Sequence, residues 1–295
     1  MALDSVRLPL RRGSLVRTRW SQSTRSRRVF LVVGGVVVVV FVLAAIAPQL
    51  FTSQNPDALY VASPLSAPSV HHWLGTDELG RDFFARIVYG ARASLVMSVL
   101  VVAIGAAVGV TVGVIAGFGT RALDEGLMRI VDLFLSLPGF VLALALAAAL
   151  GRGERSVVIA LSIVWWPSYA RLVRGMVLGL KHRLHVESAR ALGAGPVRIV
   201  RSHILPFMWD QLNARVTQDL GYALVNVAGL SFIGLGAQPP TPEWGALLES
   251  GLQYVASGWW LTFFPGAAIT VWTLGVAMLG DAIAGFSRSE RDVRR

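Results

Sequence analysis

Five runs of this chain carry no charged side chain over lengths that suit a lipid bilayer: Val29–Leu50, Ala93–Thr120, Leu133–Leu150, Leu220–Gly236 and Trp259–Gly280. A helix needs about 20 apolar residues to cross roughly 30 Å of hydrocarbon, so each run predicts a span. A sixth, Ser156–Ala170, continues to Leu180 past Arg171 and Arg174. Composition agrees: 54% of residues are hydrophobic, only 15% are charged, and mean hydropathy is +0.60. Soluble domains carry about a quarter charged residues. The chain therefore predicts an all-α integral membrane protein with six transmembrane helices.

The formal charge of +10 points to membrane topology rather than to nucleic acid, because the basic residues collect between apolar runs. Cysteine is absent, which excludes disulfides and thiolate metal sites. The basic start followed by an apolar run resembles a signal peptide, with Ala45-Ile46-Ala47 as a small-x-small site. The run exceeds the usual length of such a region, however, and Pro48 would follow the cut, so a retained signal-anchor helix is expected.

Arginine placement sets orientation. The tail before Val29 holds Arg7, Arg11, Arg12, Arg17, Arg19, Arg25, Arg27 and Arg28. With alternating spans, Gly119–Met128, Lys181–Leu205 and the tail after Phe286 share its side and carry ten more basic residues, whereas the opposite loops offer Arg81, Arg152 and Arg155, and Ala237–Gly258 carries none. Both termini are predicted to be cytoplasmic. The expected organisation is a basic tail over 1–28, a first span over 29–51, an extracytoplasmic loop over 52–85, a five-span core over 86–286 and a tail over 287–295. The basic tail is expected to be unstructured or to lie on anionic lipid. In Gln238–Gly258, Trp244, Leu247, Leu248 and Leu252 recur at helical spacing, predicting an interfacial helix, and Trp259-Trp260 would anchor the next span.

Three constellations carry more specific expectations. Gly105, Gly109, Gly113 and Gly117 recur every four residues, so they share one helix face and admit a close helix neighbour. Arg129, Asp132, Asp219 and Asp281 lie near the expected cytoplasmic ends of spans; Arg129 and Asp132 are placed to pair at i, i+3, and a structural role is expected for all four. Lys181–Pro206 reads as a short helix to Leu192, a stop at Gly193 and a second helix from Pro196. Ser188, Ala189 and Ala191 beside Glu187 would let another protein approach, and Val197, Val200 and Ile204 form an apolar stripe. By itself this pair serves equally as a membrane-surface connection or as a partner site.

A family resemblance separates those two readings. Glu187-Ser188-Ala189, three residues, Gly193, nine residues and then His203-Ile204-Leu205-Pro206 resembles the EAA loop of ABC importer permeases, with Ser188 and His203 as departures from its usual pattern. Gly75-Thr76-Asp77 followed by Gly80-Arg81-Asp82 is similar to the entry segment of the dipeptide/oligopeptide/nickel permeases. The same holds for Tyr89-Gly90-Ala91-Arg92-Ala93-Ser94-Leu95, Leu230–Gly236, Gln238–Gly245 and Leu279-Gly280-Asp281, and the set favours the "C" permease over its "B" partner.

The resemblance implies a type I importer permease fold whose coupling-helix loop, 181–206, docks on an ATPase through Glu187, Ser188, Ala189, Ala191, Leu192 and Gly193. It further implies a heterodimer with a second permease, two cytoplasmic ATP-binding subunits and an extracytoplasmic binding protein, with ATP and magnesium held by the ATPases. ATP-driven closure of the ATPases would then switch the permease pair between inward- and outward-facing states.

The residues agree that the motor lies elsewhere. The only lysine, Lys181, is preceded by Gly179-Leu180 and followed by His182, which is no phosphate-cradling loop. No cofactor is expected in this chain. His71, His72, His182, His185 and His203 all lie outside the expected spans, which disfavours a membrane-embedded metalloenzyme. The missing internal repeat disfavours a secondary transporter, and a channel is the other alternative. Peptides lead as cargo, with nickel, haem or glutathione as alternatives.

Overall fold

The computed structural model describes the backbone of residues 13–293 and the side chains of residues 28–283, so most of both expected tails lies outside the described side chains. Helix α1 (Gly13–Ile46) starts well before the apolar run and ends in a 3-10 turn at Pro48–Leu50. After a loop follow α2 (Phe83–Phe118), α3 (Arg121–Leu135), α4 (Gly139–Leu150) and α5 (Glu154–Leu180). Then come α6 (Leu184–Ala191), α7 (Pro196–Ile199), a π turn at Val200–Ile204, α8 (Leu205–Phe232), α9 (Trp244–Leu252) and α10 (Trp260–Val293). Among the described residues the one β feature is a single bridge between Thr76 and Asp82.

Four helical stretches are long and apolar enough to cross a membrane unbroken: Arg28–Ile46, Phe83–Phe118, Glu154–Leu180 and Trp260–Ile283. The span expected at Leu133–Leu150 is instead the end of a bent pair, α3 and α4, which meet at 86°. Pro138 accounts for the break, since proline cannot donate to the helix ladder and disfavours helical backbone in the residue before it. The span expected at Leu220–Gly236 belongs to α8, which starts 15 residues earlier. At 28 residues α8 is about 42 Å long, but Arg215, Gln218, Asp219 and Asn226 make it too polar to pass as an apolar span. The expected six spans therefore resolve into four continuous apolar helices, one bent pair and one long helix with polar residues along it.

Packing falls into two clusters. One joins α2, α4, α5 and α8 through Met97, Val101, Ala143, Leu161, Tyr169, Val173 and Leu230, and takes in Val186, Ile199 and Ile204 from the 181–206 loop. The other joins α1, α2, α9 and α10 through Phe83, Leu95, Trp244, Trp260, Leu261 and Trp272. α1 meets α10 where a Cβ on Gly34 would lie 2.7 Å from the Gly275 carbonyl oxygen, so both glycines are needed for that approach. Val32, Val36 and Val39 on the other side of α1 are bare, as lipid contact requires.

The segment before α2 folds on itself around one carboxylate. Asp77 accepts from the amides of Leu79 (2.9 Å) and Arg81 (3.0 Å), and from Arg81 Nε at 2.6 Å. Asp82 caps α2 by accepting from the Ala85 amide at 2.8 Å and also pairs with His72 Nδ1 at 2.8 Å. Gly75 and Gly80 take φ of +77° and +69°, the left-handed turns this loop requires.

Candidate functional site

α6 is eight residues long, shorter than isolated helices that persist in water, so its ends and its packing decide whether it forms. Glu187 in the first turn and Arg190 in the last both suit the helix dipole. The C-terminus closes as a Schellman motif: Ala194 N donates to Ala189 O and Gly193 N to Arg190 O, each at 3.0 Å. Gly193 adopts φ +83°, and nothing lies within 4 Å of where its Cβ would be. Glycine is required here by the backbone, not by a neighbour.

Val186 and Ala189 turn inward, whereas Glu187, Ser188, Ala191, Leu192 and Gly193 share the exposed side. Ala189 therefore supports the helix from beneath. The apolar stripe expected on the second helix divides likewise: Val197 is exposed, Val200 is half-buried, Ile204 is fully buried, and Ile199 joins it inside. What remains outside is a patch in which the apolar Leu184, Leu192 and Val197, each about four-fifths exposed or more, surround Glu187 and Ser188.

Two contacts of His185 tie the first helix of the loop to the π turn and to α8. His185 Nε2 donates to the His203 carbonyl at 3.3 Å, and its ring stacks on Phe207 with centroids 4.6 Å apart. The π turn at Val200–Ile204 ends two residues before Pro206. Proline offers no N–H and its ring crowds the carbonyl four residues back, so a widened turn there relieves the clash. No local signal in the sequence marks His185, whose place beside Phe207 is set by how the loop packs on α8.

The four-glycine face of α2 lies against α5. A Cβ on Gly105 would come within 2.7 Å of Trp165 Cβ, on Gly113 within 2.6 Å of the Ala170 carbonyl, and on Gly117 within 2.7 Å of Val177 Cβ. Gly109 meets the Trp166 carbonyl and Tyr169 Cβ more closely still. The neighbour is thus a helix of the same chain.

Of the charges near the expected span ends, Asp132 and Asp281 find partners on other helices, whereas Asp219 finds its partner at i, i+4 on its own. Asp132 pairs with Arg171 on α5 rather than with Arg129. Asp219 accepts from Arg215 Nε at 2.9 Å, and Asp281 accepts from Gln218 Nε2 at 2.9 Å. Arg174 forms a two-pronged pair with Asp124, both bonds at 2.7 Å.

Two motifs far apart in sequence form one contact. Glu243 caps α9, accepting from the Gly245 and Ala246 amides at 3.0 Å, and it also accepts from Ser94 Oγ at 3.0 Å. Trp244 N donates back to Ser94 Oγ at 3.1 Å, and Trp244 Nε1 to the Ile87 carbonyl at 2.9 Å. Burial pushes the Glu243 carboxyl above the usual carboxylate range, against the pull of the two amides and of the Ser231 and Ser94 hydroxyls. Arg92, in the same α2 motif, holds the end of α1 through the carbonyls of Ala45 (2.7 Å) and Ile46 (3.0 Å).

Comparison with known proteins gives this arrangement its context. Residues 109–289 match the family described as binding-protein-dependent transport system inner membrane component. The chain belongs to that family. It is 40% identical, over 85% of both chains, to the probable D,D-dipeptide transport system permease protein DdpC of Escherichia coli. It is 39% identical to the glutathione transport system permease protein GsiD of Salmonella typhimurium, over 94% of this chain and 92% of that one. It is also 39% identical to the dipeptide transport system permease protein DppC of Alkalihalophilus pseudofirmus, over 85% of this chain and 83% of that one. Among solved structures, a chain of the MetNI methionine ABC transporter in an inward facing conformation aligns with a TM-score of 0.56. That alignment has 22% identity and covers 68% of this chain and 96% of the other. The fold is that of a type I importer permease, and the protein is a multi-pass permease of ABC transporters.

Proposed function

We propose that the protein imports small peptides as one permease of a heterodimer, powered by two cytoplasmic ATPase subunits and loaded by an extracytoplasmic binding protein. The cargo reading rests on the relatives, whose names specify dipeptides or glutathione, itself a tripeptide. The ATPases hold ATP and magnesium, because this chain has no loop to cradle phosphates. Both termini and the 181–206 loop face the cytoplasm.

The observation that carries the coupling role is the 181–206 loop. Its outer side is an exposed apolar patch around Glu187 and Ser188, while its inner side (Val186, Ala189, Ile199 and Ile204) is buried in the helical core. Force on such an element passes to α8 through buried contacts and the His185–Phe207 stack, instead of dissipating in a loose loop. Because the chain has no native cysteine, Leu192→Cys provides a single reactive thiol on the exposed patch. A short bifunctional crosslinker should join that residue to the ATPase subunit in the assembled complex, and Leu252→Cys in α9 should give no such product. Crosslinking from Leu252→Cys but not from Leu192→Cys would reverse the orientation and remove the docking site.

A further inference from the structure

α8 carries a polar stripe where a lipid-facing helix would be apolar. Gln211, Arg215, Gln218 and Tyr222 follow one another at steps of four, three and four residues, and all are exposed. Such a stripe on a membrane helix faces protein or water, because exposing a guanidinium to hydrocarbon is costly. Counting 1.5 Å per residue from Leu205, Arg215 sits about 15 Å above the start of α8. The exposed Asp132–Arg171 pair lies at about the same depth, counted from the ends of α3 and α5 on that side. Charged side chains on α3, α5 and α8 thus stand at similar distances along their helices from the ends nearest the 181–206 loop.

Within that level Arg215 is built as a presented cation. Its side chain is 46% exposed, whereas that of its partner Asp219 is 7% exposed and lies behind it. Their hydrogen bond uses Nε, so neither terminal nitrogen is hydrogen-bonded to Asp219. The guanidinium carbon stands 6.0 Å from the centroid of the buried Tyr169 ring, which supports the fork from α5. A guanidinium held by Nε with its outer edge open matches a carboxylate, which takes two parallel N–H bonds.

We propose that Arg215 receives the free carboxylate of the peptide as it passes along the stripe, with Asp219 and Tyr169 holding the guanidinium in place. This rests on the peptide-importer reading above. It assigns the chain a substrate contact about 15 Å along α8, separate from the 181–206 loop. The alternative occupant of the stripe is the second permease, packed there dry, and the test separates the two.

The complete complex, reconstituted in proteoliposomes with saturating binding protein, would be assayed for uptake of a radiolabelled dipeptide per assembled complex and per ATP hydrolysed. The variants are Arg215→Lys, Arg215→Gln, Arg215→Glu and Asp219→Asn. Uptake should fall in the order Arg, Lys, Gln, Glu, with Gln at least tenfold below wild type, while Asp219→Asn, which loosens the guanidinium without removing it, falls between wild type and Arg215→Gln with the yield of assembled complex unchanged. A packing role predicts that Asp219→Asn matches Arg215→Gln, and that the yield of assembled complex falls with it. Either result, or uptake by Arg215→Gln equal to wild type, overturns the site while leaving the importer reading intact. A wild-type complex that takes up no peptide overturns both.

Discussion

Replacing Gly193 tests the geometry of the proposed docking helix with little steric confusion. No atom lies within 4 Å of its missing Cβ, so a side chain there meets no neighbour. The cost comes from φ +83°, at which an L-residue loses about 1–2 kcal/mol, and alanine also stiffens the unfolded chain, which offsets roughly 0.4–1 kcal/mol. Net destabilisation of the closed motif by Gly193→Ala is therefore about 1 kcal/mol, or roughly a fivefold shift against the conformation in which α6 and α7 are correctly set. Valine, branched at Cβ, should cost more. Gly195 is the matched control, since it is equally open but has φ −69°, which alanine adopts freely. The assay is co-purification of the ATPase subunits with the tagged chain. Gly193→Ala should lower the co-purified amount by up to about fivefold, Gly193→Val by more, and Gly195→Ala should match wild type. Full retention by Gly193→Val, or equal damage from Gly195→Ala, would refute the role given to this turn.

Two further outcomes concern the scaffold. Gly109→Leu should abolish most of the folded chain in detergent, because its side chain would meet the Trp166 backbone and Tyr169, whereas Gly35→Leu, with nothing within 4 Å, should leave folding yield unchanged. Glu243, raised by burial, contributes stability that is fully present at low pH and is lost as pH rises through its folded pKa. Thermal unfolding in detergent between about pH 5 and 8 should therefore show wild type losing stability relative to Glu243→Gln as pH rises, and the opposite slope would mean that the amide and hydroxyl bonds outweigh burial.

What the sequence made legible follows from what periodicity encodes. A four-residue repeat of glycine identifies a face, and hydropathy identifies segments long enough to span. Neither says which element lies opposite. Asp132 illustrates this: its i, i+3 neighbour Arg129 is the partner that spacing suggests, yet Arg171 approaches from another helix. The α1–α10 contact at Gly34 and Gly275 was hidden for the same reason, since the glycines of those two apolar runs form no four-residue repeat.

Segment boundaries failed where polar and apolar signals overlap. Pro138 was present within the expected third span, but the uncharged run around it outweighed its breaking effect. α8 extends back to Leu205 because its early turns bury Met208, Leu212 and Ala214 on one side, which an average over both faces conceals. In the 181–206 loop the glycine stop and the proline start were legible. The inward turn of Ala189 and the stack of His185 on Phe207 depend on how the loop settles on α8, which no local rule specifies.

The central claim is that this permease moves peptide inward at the expense of ATP hydrolysed by other subunits. Its most direct test places the purified chain, the second permease and the ATPases in sealed vesicles, with the binding protein and a labelled dipeptide on the face opposite the ATPases. The account predicts that label accumulates only when ATP is present with the ATPases and binding protein is present on the other side, and that ionophores do not affect it. Accumulation by this chain alone, driven by an ion gradient and indifferent to ATP, would contradict it.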